Sequence, residues 1–165
     1  MKWQKRRKKI IMPDIQVQIN DKRYYRRVKG IRLFCQKIIA HVWHDYEPAE
    51  ISLVLADNQF VWELNKQYRN KDCPTNVLSF ETGLRPQGNM PWVAGDIIVA
   101  YETVMQEAKA QDKTFEAHLA HLLIHGTLHL QGYDHIDMKD ARKMEALETT
   151  YMLELGYEDP YKDLE

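Results

Sequence analysis

The residues of this chain best able to do chemistry together are histidines. Four of its seven, His118, His121, His125 and His129, follow at spacings of three or four residues, and a fifth, His135, lies just beyond them in the stretch HGTLHLQGYDH, residues 125–135. At 100° per residue the first four fall within about 80° of one another on a helix, so any pair one turn apart presents its ring nitrogens to a common point. Three successive members of that row are too far apart to share an ion. His121 and His129 start about 12 Å apart along the axis, against zinc–nitrogen bonds of about 2.0–2.1 Å. A third ligand must therefore come from beyond the helix. Gly132 can end the helix in a left-handed conformation, and His135 can then turn back toward the preceding pair, which selects His125, His129 and His135.

Three neutral imidazoles around one ion leave a position open, as in a catalytic rather than a structural zinc site. Such an ion lowers the pKa of a water it binds and acts as a Lewis acid toward a carbonyl or phosphoryl oxygen. The spacing is that of the zinc-protease signature HExxHxxGxxH, with one difference. The glutamate that serves there as general base is Gly126 here. Losing such a base costs on the order of 10²–10⁴ in rate, which argues against proteolysis. A glycine inside a helix costs roughly 0.5–1 kcal/mol relative to alanine, and the expected reason for it is room for something bulky approaching the metal. A phosphodiester would suit such a site, because its charged oxygens can be held by a metal and an arginine. His118 and His121 are expected to be ordinary structural histidines, with an outer-shell or substrate role for His121 as the alternative. Asp134 either orients a ligand or is a solvated turn carboxylate.

The elements that must position these residues are legible from periodicity. Ile15, Val17 and Ile19 alternate as in a half-buried strand; Val28–Tyr46 repeats at helical spacing; ISLVLA is a second strand; and Asp57 or Asn58 caps a helix through about Tyr68. TNVLSFE and GDIIVAY read as two more strands, joined by GLRPQGNMPWVA, a surface loop or a flap on the substrate side. A short helix over about 102–111, a longer one over Phe115–Gln131 capped by Thr114, and a last one from near Asp137 to a stop at Gly156 complete the chain. The sum is one α+β domain with about four strands and about five helices over residues 13–165, preceded by a basic flexible arm over residues 1–12.

Composition sets the setting. No apolar run approaches a membrane span and the basic start leads into no signal-peptide core, so the expected location is cytoplasmic. Cys35 and Cys73 match no disulfide or metal spacing and read as reduced thiols. The net charge of −1 conceals a segregation: residues 1–37 hold thirteen Lys/Arg against Asp14 and Asp21, while residues 137–165 hold nine Asp/Glu against four Lys/Arg. The basic segment is either a solvated face or a contact for a polyanion such as RNA.

HGTLHLQGYDH, LNKQYRNKDCPTNVLSF and GDIIVA together resemble the YbeY family of bacterial single-strand endoribonucleases, over about Ile15–Leu155. The resemblance implies a zincin-like α+β fold and one zinc on His125, His129 and His135, with His125 counted among the catalytic residues. It also implies an activity on single-stranded RNA in ribosomal RNA processing, at the small-subunit 3′ end, and in ribosome quality control, with the ribosome or its proteins as partners. It gives Arg69 importance in cleavage and substrate binding, whereas spacing alone leaves Arg69 an ordinary arginine at a helix end. The family's usual TDVLSF is TNVLSF here, so Asn76 keeps hydrogen-bonding capacity without charge, and the basic arm falls outside the resemblance. A non-catalytic RNA-binding assembly factor with a structural zinc is the competing reading, and a metallopeptidase a weaker one.

Overall fold

A computed structural model describes residues 12–44, 47–83, 88 and 92–163. The basic arm read over residues 1–12 therefore lies, Met12 apart, outside the described residues. So does most of the 83–94 segment read as a loop or flap.

Among the described residues, four strands and six helices follow in the order β1 (Asp14–Ile19), α1 (Tyr24–Arg27), α2 (Ile31–Trp43), β2 (Ala49–Ala56), α3 (Asn58–Arg69), β3 (Val77–Glu81), β4 (Trp92–Ala100), α4 (Tyr101–Ala110), α5 (Phe115–Leu130) and α6 (Met138–Glu154). The sheet order is β1-β2-β4-β3. β1, β2 and β4 run parallel and β3 pairs antiparallel with β4, so the sheet is mixed and β3 forms one edge. The architecture is the expected α+β domain, with one helix more than the periodicity counted. That extra turn, α1, is four residues long and buries Tyr24, whose hydroxyl donates to the carbonyls of Ala56 and Val99. Apolar periodicity cannot register so short an element, and Gly30, left-handed at φ 63°, separates it from α2. For the same reason the second helix begins at Ile31 rather than at Val28.

β4 also starts earlier than its sequence pattern, at Trp92. Its pairing with β2 shifts register between Glu50 and Ile51, which pair with Val93 and Gly95 and leave Ala94 as an extra residue. Gly95 sits at φ 147°, and a Cβ there would lie 2.0 Å from the Phe80 carbonyl oxygen. Only glycine lets β3 come this close beside the bulge.

α5 lies against β3 and β4 on one side and among α2, α4 and α6 on the others. It is buried along most of its length, from Phe115 through Leu130, which is why its sequence is apolar nearly all round and broken chiefly by histidines. Thr114 accepts from the Ala117 amide at its start, as expected.

Candidate metal centre and its cleft

α5 ends where the sequence indicated. Gly132 adopts φ 92°, its amide donates to the His129 carbonyl and the Tyr133 amide donates to Leu128, a closing pattern that reverses the chain within three residues. His135 follows on this turn, with its amide donating to the Asp134 carboxylate at 2.7 Å. His125, His129 and His135 come together: each offers a ring nitrogen, and these atoms all lie within 4.8 Å of one another.

Hydrogen bonds to the other ring nitrogens decide how two of the rings are protonated. His125 Nδ1 faces the Glu148 carboxylate at 2.5 Å and His129 Nδ1 faces the Tyr133 carbonyl at 2.9 Å. Both partners are acceptors, so in the neutral rings both Nδ1 atoms carry the proton. The two Nε2 atoms are then bare and face each other at 3.0 Å. Two lone pairs so close repel unless a cation lies between them, and a tetrahedral zinc would hold two nitrogens about 3.3 Å apart. Burial, with the neighbouring His125 and His135 adding to it, pulls the His129 pKa down to about 4, which keeps this ring in the neutral form a metal requires. The donor set fits a zinc ion.

Behind the triad stands a carboxylate that sequence reasoning missed. Glu148, on α6, is 1 % exposed. Its Oε1 takes His125 Nδ1, and its Oε2 takes His121 Nε2 at 2.7 Å and the Tyr161 hydroxyl. Burial alone would push its pKa up. The hydrogen bonds from His121 and His125 outweigh burial and hold it at about 2. A signal for it existed, since Met144, Glu148 and Met152 form the buried stripe of α6, with a glutamate at the centre of an apolar row.

His118 takes the structural role expected of it. It is buried, and its Nε2 bonds Glu107 at 2.7 Å. Glu107 also accepts from the Asn76 amide at 3.0 and 3.2 Å. Burial opposes ionisation of Glu107, but the hydrogen bonds from His118 and Asn76 prevail and lower its pKa. His121 takes the other role: its Nε2 bonds Glu148, the carboxylate that also faces His125 Nδ1. Asp134 binds its own turn backbone, with His135 Nδ1 3.9 Å away, so it serves the turn.

The three histidines open onto a cleft of about 550 Å³ lined also by Arg69, Lys71, Asn76 and Ser79. Arg69 closes α3, where Asn70 adopts a left-handed cap at φ 57°. The buried Asn65 donates to the Cys73 carbonyl at 2.9 Å, which braces the loop between α3 and β3. The Arg69 guanidinium lies over the Phe80 ring, 5.3 Å from its centroid, and Nη2 donates to the Ser79 carbonyl at 2.6 Å. Arg69 thus covers an edge-strand carbonyl that an extended peptide would use for strand pairing.

Gly126 does not make room at the metal, contrary to the sequence expectation. A Cβ there would lie 3.0 Å from Ile97 Cγ2 and 3.1 Å from the Ser79 hydroxyl oxygen, so the glycine serves close packing of α5 on the sheet.

The family model described as Endoribonuclease YbeY matches residues 14–156. The chain belongs to the YbeY family. A Sinorhizobium fredii protein named Endoribonuclease YbeY is 54 % identical over 118 residues, 71 % of this chain and 68 % of that one. A protein of the same name from Azorhizobium caulinodans is 52 % identical over 115 residues, 70 % and 72 % of the two chains. Among solved structures, the solution structure of TM1509 from Thermotoga maritima is similar at 25 % identity with a TM-score of 0.51, covering 86 % of this chain and 91 % of the other. Tyr161 lies beyond the family match. Among the described residues, no helix is long and apolar enough to cross a membrane.

Proposed function

We propose that this chain is a zinc-dependent endoribonuclease that cuts single-stranded RNA. Its place would be ribosomal RNA processing, at the small-subunit 3′ end, and ribosome quality control, with ribosomal components as partners and the cytoplasm as location. Membership of a family whose relatives are named endoribonucleases supports the reaction class. The observation that carries the reading is the convergence of three histidines and Arg69 on one cleft.

His125, His129 and His135 would hold the ion, which when bound supplies a Lewis acid for a phosphoryl oxygen. Arg69, backed by the Phe80 ring, presents a planar fork that can pair two phosphate oxygens, and Lys71 adds a second positive charge to the cleft. RNA brings a 2′-hydroxyl of its own as a possible nucleophile. Arg69 occupies the outward-facing Ser79 carbonyl. That contact disfavours an extended peptide substrate.

The test is metal analysis of the purified protein together with cleavage of single-stranded RNA, duplex RNA and a peptide, with and without chelator. About one zinc per chain and chelator-sensitive cleavage of the single strand alone are expected. RNA binding without metal-dependent cleavage would overturn the enzymatic reading in favour of an assembly factor.

A further inference from the structure

The C-terminal turn beyond the family match is built into the metal centre. Asp159 accepts from Thr149 Oγ1 at 3.1 Å and from the Tyr161 amide at 2.9 Å, and Lys113 Nζ donates to the Pro160 carbonyl at 2.8 Å. These contacts deliver the Tyr161 ring edge-on to His121, 5.5 Å between centroids at 90°, and its hydroxyl to Glu148 Oε2.

We propose that Glu148 and Tyr161 form a positioning unit for His125, in which Tyr161 and His121 fix the Glu148 carboxylate and the carboxylate fixes the His125 ring with Nε2 bare and facing the cleft. The logic is one of donors and acceptors. A carboxylate only accepts, and here it faces three groups, the Tyr161 hydroxyl, His121 and His125. His121 Nδ1 is buried without a hydrogen-bond partner. His121 Nε2 faces the Glu148 carboxylate at 2.7 Å, which only accepts, so the His121 proton sits on Nε2 and points at Glu148. Oε2 is then occupied twice, and Oε1 is left to a single donor, His125 Nδ1. With that proton fixed, His125 has one nitrogen left to offer, on the side of His129. Neither Glu148 nor Tyr161 touches substrate in this scheme, and both act through His125.

The inference rests on His125 being a metal ligand, and its test separates the two claims. Full-length wild type, Glu148→Gln and Tyr161→Phe are compared by long-range proton–nitrogen NMR of the histidine rings in chelator-stripped protein, by zinc competition against a chelator, and by thermal melting. Wild-type His125 is expected in the Nδ1–H form. In Glu148→Gln the amide can no longer accept on both sides, so His125 should populate both tautomers and zinc affinity should fall about 10–100-fold, as for other outer-shell partners of metal-bound histidines. Tyr161→Phe removes one hydroxyl and leaves the ring, and should lower zinc affinity about fivefold. An Nδ1–H tautomer and zinc affinity unchanged in Glu148→Gln would overturn the proposal. A Tyr161→Phe protein with a lower melting point and unchanged zinc affinity would remove Tyr161 from the unit. Should Glu148→Gln fail to fold, Tyr161→Phe decides by the same two readouts. If the wild type takes up no zinc, the zinc reading fails, while the tautomer in metal-free protein still decides the positioning claim.

Discussion

The Ser79 hydroxyl donates to the Gly126 carbonyl across 3.2 Å, tying the edge strand β3 to the helix that carries two of the cleft's three histidines, His125 and His129. The arginine side and the histidine side of the cleft both flank that contact. Arg69 reaches the Ser79 carbonyl from outside, and His125 is the residue before Gly126.

Gly126→Ala tests the packing. Alanine gains up to about 1 kcal/mol in helix propensity, but its methyl would press on Ile97 and Ser79 at 3.0 and 3.1 Å, and overpacking of a rigid core costs about 1–3 kcal/mol. Packing should win, with net destabilisation of about 1 kcal/mol in denaturant unfolding. Ile97→Val, which removes one methyl from the crowded wall, should shrink that loss when combined with Gly126→Ala. A more stable Gly126→Ala protein would show that the sheet yields.

Arg69→Lys should fold and hold zinc yet cleave poorly. A point charge replaces a planar fork at the loss of a charge-assisted hydrogen bond worth about 1.5–3 kcal/mol, or roughly 10–100-fold in rate. Single-turnover cleavage at matched zinc content is the measurement, and a wild-type rate would remove bidentate phosphate recognition.

What the sequence displayed and what it hid divide along physical lines. The alternation of Ile15, Val17 and Ile19, the cap at Thr114 and the start of the last helix near Asp137 follow local rules, and each element they announced is present. The histidine triad was legible because helix geometry and one glycine bring its members together within eleven residues. The pairing of Glu148 with His125 and of Tyr161 with Glu148 was not, because the partners lie 23 and 13 residues apart in the chain, and only the packing of α6 and the C-terminal turn on α5 makes them neighbours. Gly126 misled for a related reason: the direction of its missing Cβ is set by β3 and β4.

The basic arm is open to a salt titration. Deleting residues 2–9 removes six Lys/Arg, so RNA binding should weaken and the slope of log affinity against log salt should flatten, through fewer counterions released. An unchanged slope would make the arm a solvated tail.

The two cysteines should differ sharply in native protein. Cys73 is exposed, whereas Cys35 is fully buried and burial pushes its thiol up to about 12. The thiolate is the reactive form, so iodoacetamide at pH 8–9 should add one group per native chain, at Cys73, and two after denaturation. The same shift sets a sign. A thiol raised above its unfolded value favours folding below about pH 9, and that contribution is lost as pH rises toward 12. Mass spectrometry showing rapid native labelling of Cys35 would refute its burial.

Asn76→Asp restores the residue the family usually carries, and here it should destabilise the protein. The Asn76 amide donates to both oxygens of Glu107 at 3.0 and 3.2 Å while its own oxygen accepts from the Val77 amide at 2.7 Å. Aspartate keeps the second contact and turns the first into two carboxylates facing each other, where only one can ionise easily. His118, on the other side of Glu107, offsets part of this by donating to the same carboxylate. Mutual repulsion raises the folded pKa of the pair above its unfolded value, so the sign is opposite to that of a salt-bridged carboxylate. The penalty is small below about pH 4, where the carboxyls are protonated, and grows as pH rises toward 7. Urea unfolding of wild type and Asn76→Asp at pH 4.5 and pH 7 should show the gap widening with pH. Adding Glu107→Gln should close most of the gap at pH 7, because a neutral amide can then face the new carboxylate. A gap independent of pH would mean that the two side chains avoid each other by rotation, and that Asn76 is not held in place by Glu107.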